Sequence, residues 1–274
     1  MNISLFNGEF IAPNSKILPM ESLAFMYGYG VFETLRTYDG QIFRASEHID
    51  RMFSSAKKIH FEVPEKKQQI LEWLEKVRAQ SGVAEQRMKV VAIPEGIWIS
   101  SLPLNNDPKV FEGVMMKSVR AERLFPEAKT LAYLDSYLAH NKAQEAGCYE
   151  ALLVDHLGEV REGAYSNFFW FEGDTLCTRE KGVLPGITRE DVLKLSPFRV
   201  QYKNIAIEDL KKCDEAFLTQ TSKGIVPVLK IDDVSFGNGK VGKRTKRLME
   251  LFEKQTQISG VVFSFDSGQA GVTD

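Results

Sequence analysis

The sequence predicts an α+β protein with a smaller N-terminal part and a larger C-terminal part, and three patterns predict it. Two turn dipeptides, Asn7-Gly8 and Asp39-Gly40, each sit between β-rich runs, as in tight hairpins. Two amphipathic helical stretches then precede two further strands. The second half carries many short apolar strands separated by single helices.

Each element has a local reason. Ile3 to Ile11 alternates around Asn7-Gly8, whose residue types suit positive φ. Val31–Thr37 and Gln41–Phe43 pair across Asp39-Gly40. Glu47 to Ile59 reads helical, with Ile49, Met52, Phe53 and Ala56 on one face. Pro64 opens a second helix that turns Ile70, Leu71, Leu74 and Val77 inward and ends at Gly82. MKVVAI and IWISSL read as strands. The polar, basic stretch 117–126 (KSVRAERLFP) reads as an irregular connection, which divides the chain into an N-terminal domain 1–118, a loop 119–126 and a C-terminal domain 127–274. From Thr130, the spacing of Leu131, Leu134, Leu138 and Ala139 predicts a helix that stops at Gly147. Strands follow at ALLVD, NFFWF and TLCT, then a helix after Gly186, strands at RVQYK, EAFLTQ and PVLKI, and a last helix from Arg244 to Phe252. The tail from Ile258 carries no readable pattern.

Composition bounds the function. The 274 residues are 43% hydrophobic and 26% charged, which excludes a disordered or fibrous chain. Thirty-five Lys+Arg against 37 Asp+Glu leave a formal charge of -2, which argues against a nucleic-acid binder or a protein held on anionic membranes. Cys148, Cys177 and Cys213 lack paired spacing, so neither a disulfide framework nor a zinc knuckle is expected. No apolar run reaches membrane-spanning length and the start does not read as a signal peptide, so a cytoplasmic protein is expected. No internal repeat is visible.

Several motifs lose to plainer readings. GNGKVGKR at 237–244 imitates a phosphate-cradling Walker loop, but Arg244 stands where a magnesium-binding Ser or Thr belongs, and a turn before a surface helix explains it. Gly28-Tyr29-Gly30 lacks the third glycine of a dinucleotide fingerprint. His48, His60, His140 and His156 share no ligand spacing, so no metal is expected, and no serine sits in a GxSxG elbow.

A dispersed set remains: Arg51, Lys129, Glu162 and the turn-to-helix segment LPGITRED at 184–191. Singly, each reads as a surface or helix residue. Gly186-Ile187-Thr188 ahead of an apolar periodic run is a helix N-terminus, where free N–H groups attract phosphate. Thr219, Gln220, Thr221 and Ser222 add donors after the strand EAFL. A lysine amine, a helix-bound phosphate and an isolated carboxylate are the equipment for pyridoxal 5'-phosphate.

Six segments in order, FMYGYGVFETLRTYDG, EHIDRM, KTLAYLDSYLAHNKAQEAG, EALLVD with GEVREGAYSNFFW, VLPGITRE and DEAFLTQTSKGIVPV, resemble the fold-type IV pyridoxal-phosphate enzymes, also called class IV aminotransferases. The resemblance covers nearly the whole chain. It implies a small N-terminal α/β sandwich domain, a larger C-terminal domain with a β-barrel-like core, and a homodimer. It implies that Lys129 forms the Schiff base and shuttles the proton, that Glu162 pairs with the pyridine nitrogen, and that Arg51, Ile187, Thr188, Thr221 and Ser222 hold the phosphate. Leu184 would pack on the ring, and Tyr133 lies near a family tyrosine that bonds the phenolic oxygen. Tyr27, Phe32, Arg120, Arg123, Ser222 and Lys223 are the candidate substrate contacts. The implied activity is transfer of an amino group between an amino acid, branched-chain-like, and a 2-oxo acid. Aminodeoxychorismate lyase chemistry and D-amino acid or (R)-amine transamination stand as alternatives. The chain departs from the family's D-amino acid enzymes in lacking an Arg-x-His pair within MKVVAIPEGIWIS. It departs from the typical branched-chain enzymes in having TSKG at 221–224 and no YIRP-like segment.

Overall fold

Both turn dipeptides form the hairpins that their residue types favour. The computed structural model describes residues 2–12, 15–105 and 107–258. In it β1 (Ile3–Phe6) turns into β2 (Glu9–Phe10), with Asn7 and Gly8 at φ 47° and 86°. After the five-residue helix α1 (Leu23–Tyr27), β3 (Val31–Tyr38) turns into β4 (Gln41–Ile42) through Asp39 and Gly40 at φ 48° and 78°. Helices α2 (Ala45–Lys58) and α3 (Lys67–Ser81) follow, then β5 (Gln86–Ile93) and β6 (Gly96–Pro103). These strands make a six-stranded sheet in the order β2-β1-β6-β5-β3-β4.

One face of that sheet is covered by α2 and α3. Ile49, Met52, Ile70, Leu74 and Val77 pack on Leu5, Val31, Leu35, Met88, Val90 and Ile99. Burial of each such side chain is worth about 1.5–3 kcal/mol, which holds helices whose own propensity is modest. Period-two alternation along β3 puts Glu33 on this apolar face, between Val31 and Leu35, while Phe32, Thr34 and Arg36 point the other way. The second helix starts at Lys67 and not at Pro64, because residues 64 and 65 form a bend and Lys66 remains extended.

The second sheet begins earlier than the sequence suggests. Residues 114–120 are β7 (Val114–Arg120), parallel to its neighbours on both sides, so the stretch read as an irregular connection opens as a strand. Its backbone is paired on two edges, and that pairing keeps Lys117 and Arg120 in a strand despite their charge. The chain thus passes from one sheet to the other between Pro103 and Val114. Helix α4 (Leu134–Glu145) leads to β8 (Glu150–Val154), β9 (Val160–Gly163), β10 (Asn167–Glu172) and β11 (Thr175–Thr178). Then come α5 (Ile187–Leu195), β12 (Arg199–Tyr202), β13 (Glu215–Gln220), β14 (Gly224–Ile231), β15 (Val234–Ser235) and α6 (Lys243–Ile258). The order is β12-β11-β10-β13-β14-β7-β8-β9, with β15 on β14.

This sheet curls until its ends meet. Val160 of β9 donates to the Ile205 carbonyl just beyond β12, and Ile207 donates back to Gly158. Phe168, Trp170, Leu218 and Val226 fill the interior, whereas Phe169, Phe171 and Phe217 face outward against Val192 of α5 and Leu248 and Phe252 of α6. A strand buried on both faces explains the unbroken apolar run NFFWF.

One sequence expectation is corrected here and another is met. Helix α4 turns Ser136, Ala139 and Ala143 inward, not Leu134 and Leu138, since small residues let it lie close on the sheet. The Walker-like stretch is a turn into α6 whose N-terminus already holds an anion: Glu215 accepts from the Thr245 N–H at 2.8 Å and the Thr245 hydroxyl at 2.7 Å. The tail beyond Ile258 lies outside the described residues.

Candidate active site

Residues of the second sheet, of α2 and α5 and of the loops beside them surround a cleft. Lys129 lies on its wall, held at the backbone by the first sheet and its helix: its N–H donates to Ser55 Oγ at 3.0 Å and its carbonyl accepts from the Phe32 N–H at 2.9 Å. The residue is only 9% exposed, with Nζ 4.5 Å from the centre of the Phe32 ring and 5.9 Å from that of Tyr133. Burial and the Arg51 and Arg123 charges outweigh Glu33 and Glu162 and bring the amine down to about 7. A neutral fraction therefore exists near neutral pH, as a base or nucleophile needs.

Glu162, at the end of β9, is buried and faces the same cleft. Its Oε1 accepts from Arg123 Nη1 at 2.9 Å, and its Oε2 accepts from Asn167 Nδ2 at 3.1 Å and the Leu184 N–H at 2.9 Å. Burial pushes this carboxyl above the usual range, against the pull of Arg123 and the amide donors. Arg123, expected to meet substrate, instead commits its guanidinium to Glu162 and to the Pro126 and Ala128 carbonyls. Removing one partner of a buried pair leaves the other charge uncompensated, so Arg123→Ala should cost about 3–5 kcal/mol in denaturant titration. A loss below about 1 kcal/mol would show that the pair is not what holds Glu162.

The opposite end of the cleft is built for an anion. Helix α5 starts at Ile187 with Gly186 as its N-cap and no side-chain cap, so its first-turn N–H groups face the cleft beside Thr188. A Cβ on Gly186 would lie 2.0 Å from Asn167 Oδ1, which only glycine avoids. Thr219 Oγ1 is buried here without a partner among the described residues, and Thr221 also lines the wall. Arg51 reaches the same space from α2.

An amine near neutrality, a buried carboxylate and an open helix N-terminus now stand around one cleft. A family model described as amino-transferase class IV matches residues 30–231. The chain belongs to the class IV aminotransferases. It is 32% identical over 271 residues to a Methanocaldococcus jannaschii protein provisionally named a branched-chain-amino-acid aminotransferase, covering 90% of this chain and 94% of that one. It is 30% identical to a D-alanine aminotransferase of Listeria monocytogenes, over 93% of this chain and 97% of the relative. The crystal structure of a T.th. branched-chain amino acid aminotransferase with pyridoxamine 5'-phosphate superposes with a TM-score of 0.86 at 27% identity, covering 93% of each chain. Class IV aminotransferases use pyridoxal 5'-phosphate, and this aminotransferase has the donors the group requires: the unpartnered Thr219 hydroxyl and the uncapped α5 turn fit a phosphate, and Lys129 fits an aldehyde.

The aminotransferase cleft gathers Arg51, Arg123, Lys129, Tyr133, Glu162, Leu184, Ile187, Thr188 and Thr221 from the sequence-predicted set. Tyr133 donates to the Ala164 carbonyl at 3.1 Å, and burial pushes its phenol up to about 12, so it keeps its proton. Phe32 stands just behind Lys129. Phe32 and four other expected contacts do not line the cleft. Tyr27 ends the short, exposed α1, and Arg120 is exposed because its neighbour Val119 takes the inward position on β7. Ser222 offers its carbonyl to Arg36 at 3.0 Å, and Lys223 lies over the Tyr149 ring, 5.2 Å from its centre. Sequence reasoning missed Asn167 as the bracket between Glu162 and Leu184. It also missed Glu150, a second buried carboxyl pushed up to about 7 by burial, which accepts from the Tyr165 N–H at 2.6 Å and Ser166 Oγ at 2.9 Å.

Proposed function

We propose that this aminotransferase moves an amino group between a branched-chain-like amino acid and a 2-oxo acid, with Lys129 as the catalytic residue. The observation that carries the proposal is the desolvated Lys129 amine, enclosed by the Phe32 and Tyr133 rings and sharing a cleft with Glu162. When bound, pyridoxal phosphate supplies an aldehyde that condenses with amines and a ring that draws electrons from the attached carbon. Glu162 would hold a proton at its ring nitrogen. Arg51, Thr188, Thr221 and the Ile187 and Thr188 N–H groups would hold its phosphate, and Leu184 would pack on the ring. Lys129 Nζ takes the proton from the substrate α-carbon and later returns it, which requires the neutral amine that burial favours. Tyr133, which lines the cleft and is backed edge-to-face by Phe32 at 5.4 Å between centres, would give the substrate side chain an apolar wall.

The assembly we propose is a homodimer, acting in the cytoplasm. Leu23, Phe25, Met26 and Tyr27 of α1 and Leu134, Tyr137 and Leu138 of α4 are exposed, and the backbone just after α1 at Gly28 lies against Ala132, two residues before α4. Among the described residues no helix is long and apolar enough to cross a membrane. A second copy is the partner we assign to this exposed apolar surface. Sedimentation at micromolar concentration should give the mass of two chains, and a monomer would remove the dimer reading.

The substrate is tested by supplying protein, pyridoxal phosphate and 2-oxoglutarate with L-valine, L-leucine, L-isoleucine or D-alanine, and measuring the new 2-oxo acid. Turnover with the L-branched-chain donors, at least about tenfold above D-alanine, is expected. Preference for D-alanine would overturn the substrate reading, and pyruvate released without any acceptor from a 4-amino-4-deoxychorismate sample would favour elimination.

A further inference from the structure

Glu33 is a carboxylate with no exposure at all, on the apolar face of β3 between Val31 and Leu35. Such a charge is tolerated only when fully paired. Its two oxygens grip one edge of the Arg51 guanidinium, at 2.8 Å from Nε and 2.6 Å from Nη2, and Oε2 also meets His48 Nδ1 at 2.8 Å. Burial raises this carboxyl, but Arg51 and His48 outweigh it and hold it down to about 2, so it stays an anion.

The arginine's donors can be counted. Of its five N–H bonds, Nε and one on Nη2 go to Glu33, and one on Nη1 goes to the Pro185 carbonyl at 3.1 Å. One N–H on Nη1 and one on Nη2 remain, on the edge of the guanidinium turned away from Glu33. Pro185 precedes Gly186, the N-cap of α5, so this outer edge lies beside the uncapped helix N-terminus. Helix α2 contributes the rest: His48, Arg51 and Ser55 share one face, and Ser55 fixes the Lys129 backbone.

We propose that Glu33 is a positioning residue: by clamping the inner edge of Arg51 it presents the outer edge to the phosphate of the bound cofactor. The proposal rests on the reading that Arg51 meets that phosphate. A freely rotating arginine would lose the two parallel N–H groups that match a phosphate. Lys129, Arg123 and Glu162 are the other charged groups facing this cluster. Arg123 and Glu162 bond to each other, and the Lys129 amine lies against the Phe32 and Tyr133 rings, so none of the three is placed to replace the clamp.

The test compares affinities of the apoprotein for pyridoxal phosphate and for pyridoxal, which lacks the phosphate. Glu33→Gln keeps the shape but places an amide donor against Arg51, and Glu33→Asp keeps the charge but withdraws it by one carbon. Each should weaken pyridoxal phosphate about tenfold or more and change pyridoxal by less than about threefold. Thermal melting identifies a variant that does not fold; Glu33→Asp, which leaves the buried charges balanced, then decides. Equal weakening of both ligands in Glu33→Asp, or no weakening of either, would overturn the proposal. Arg51→Met separates the two readings. If it leaves the ratio of affinities unchanged, Arg51 does not meet the phosphate. If it changes the ratio while the Glu33 variants do not, only the positioning role fails.

Discussion

Lys129→Ala is expected to lower amino-group transfer at least about 10⁴-fold while leaving a folded protein. Among the residues that line the cleft, this amine is the one group placed both to attach to a carbonyl and to carry a proton, and no other lysine lines it. Folding should survive for an electrostatic reason. Burial first, and the Arg51 and Arg123 charges after it, hold this amine's proton affinity down, so its removal takes away a desolvated and repelled group. Thermal melting should therefore show no fall, and a small soluble amine should restore part of the rate. The wild-type pH dependence follows the same cause with an explicit sign. Below about 7 the amine of the cofactor-free chain is protonated and is not a nucleophile, so its condensation with added pyridoxal phosphate should speed up as pH increases through about 7. Full activity in Lys129→Ala, or a condensation rate that stays flat as pH passes through about 7, would sink the assignment of Lys129 as the reactive amine.

The residues that are legible in the sequence are those whose reasons are local. Asn7-Gly8 and Asp39-Gly40 are turns because their own side chains suit positive φ, and Gly186 marks a helix start because the apolar period begins beside it. Lys129, Glu162 and Arg51 are found through segments that resemble a family and not through spacing, since no spacing in the chain announces that residues 51, 129 and 162 meet. What stays hidden depends on partners far along the chain. Strand β9 is four residues, VREG, too short and too charged to show alternation, and it exists because β8 pairs with it. Arg123 reads as a solvated loop arginine until folding puts Glu162 beside it. The leucines of α4 have core spacing, yet the helix buries its small residues, and periodicity alone does not say which face meets the sheet. Glu33 is different: strict alternation in VFETLRT places it on the core face, and a buried acid in an apolar row is a signal to seek its cation.

Glu162→Gln should slow the proton-transfer half of the reaction by about 10²–10⁴-fold while cofactor affinity changes far less. The change is nearly isosteric, and Gln keeps an oxygen that can accept from Arg123 or from the Leu184 N–H. What it removes is the negative charge. In the wild type, three donors fix the carboxylate's direction, while burial raises its proton affinity above that of an ordinary glutamate. A carboxylate more basic than usual is better matched to sharing a proton with a pyridine nitrogen, and its anion stabilises the cation formed there. Without it, a protonated ring nitrogen would face Arg123 across a dry site, which disfavours the proton strongly. Electron withdrawal from the substrate α-carbon then weakens, so that carbon's proton becomes harder to remove, although Lys129 is untouched. The effect should appear as a kinetic isotope effect on the α-hydrogen that grows in the variant, because proton removal then limits the rate alone. An unchanged rate with an unchanged isotope effect would take Glu162 out of that role and leave it as an internal counter-ion for Arg123.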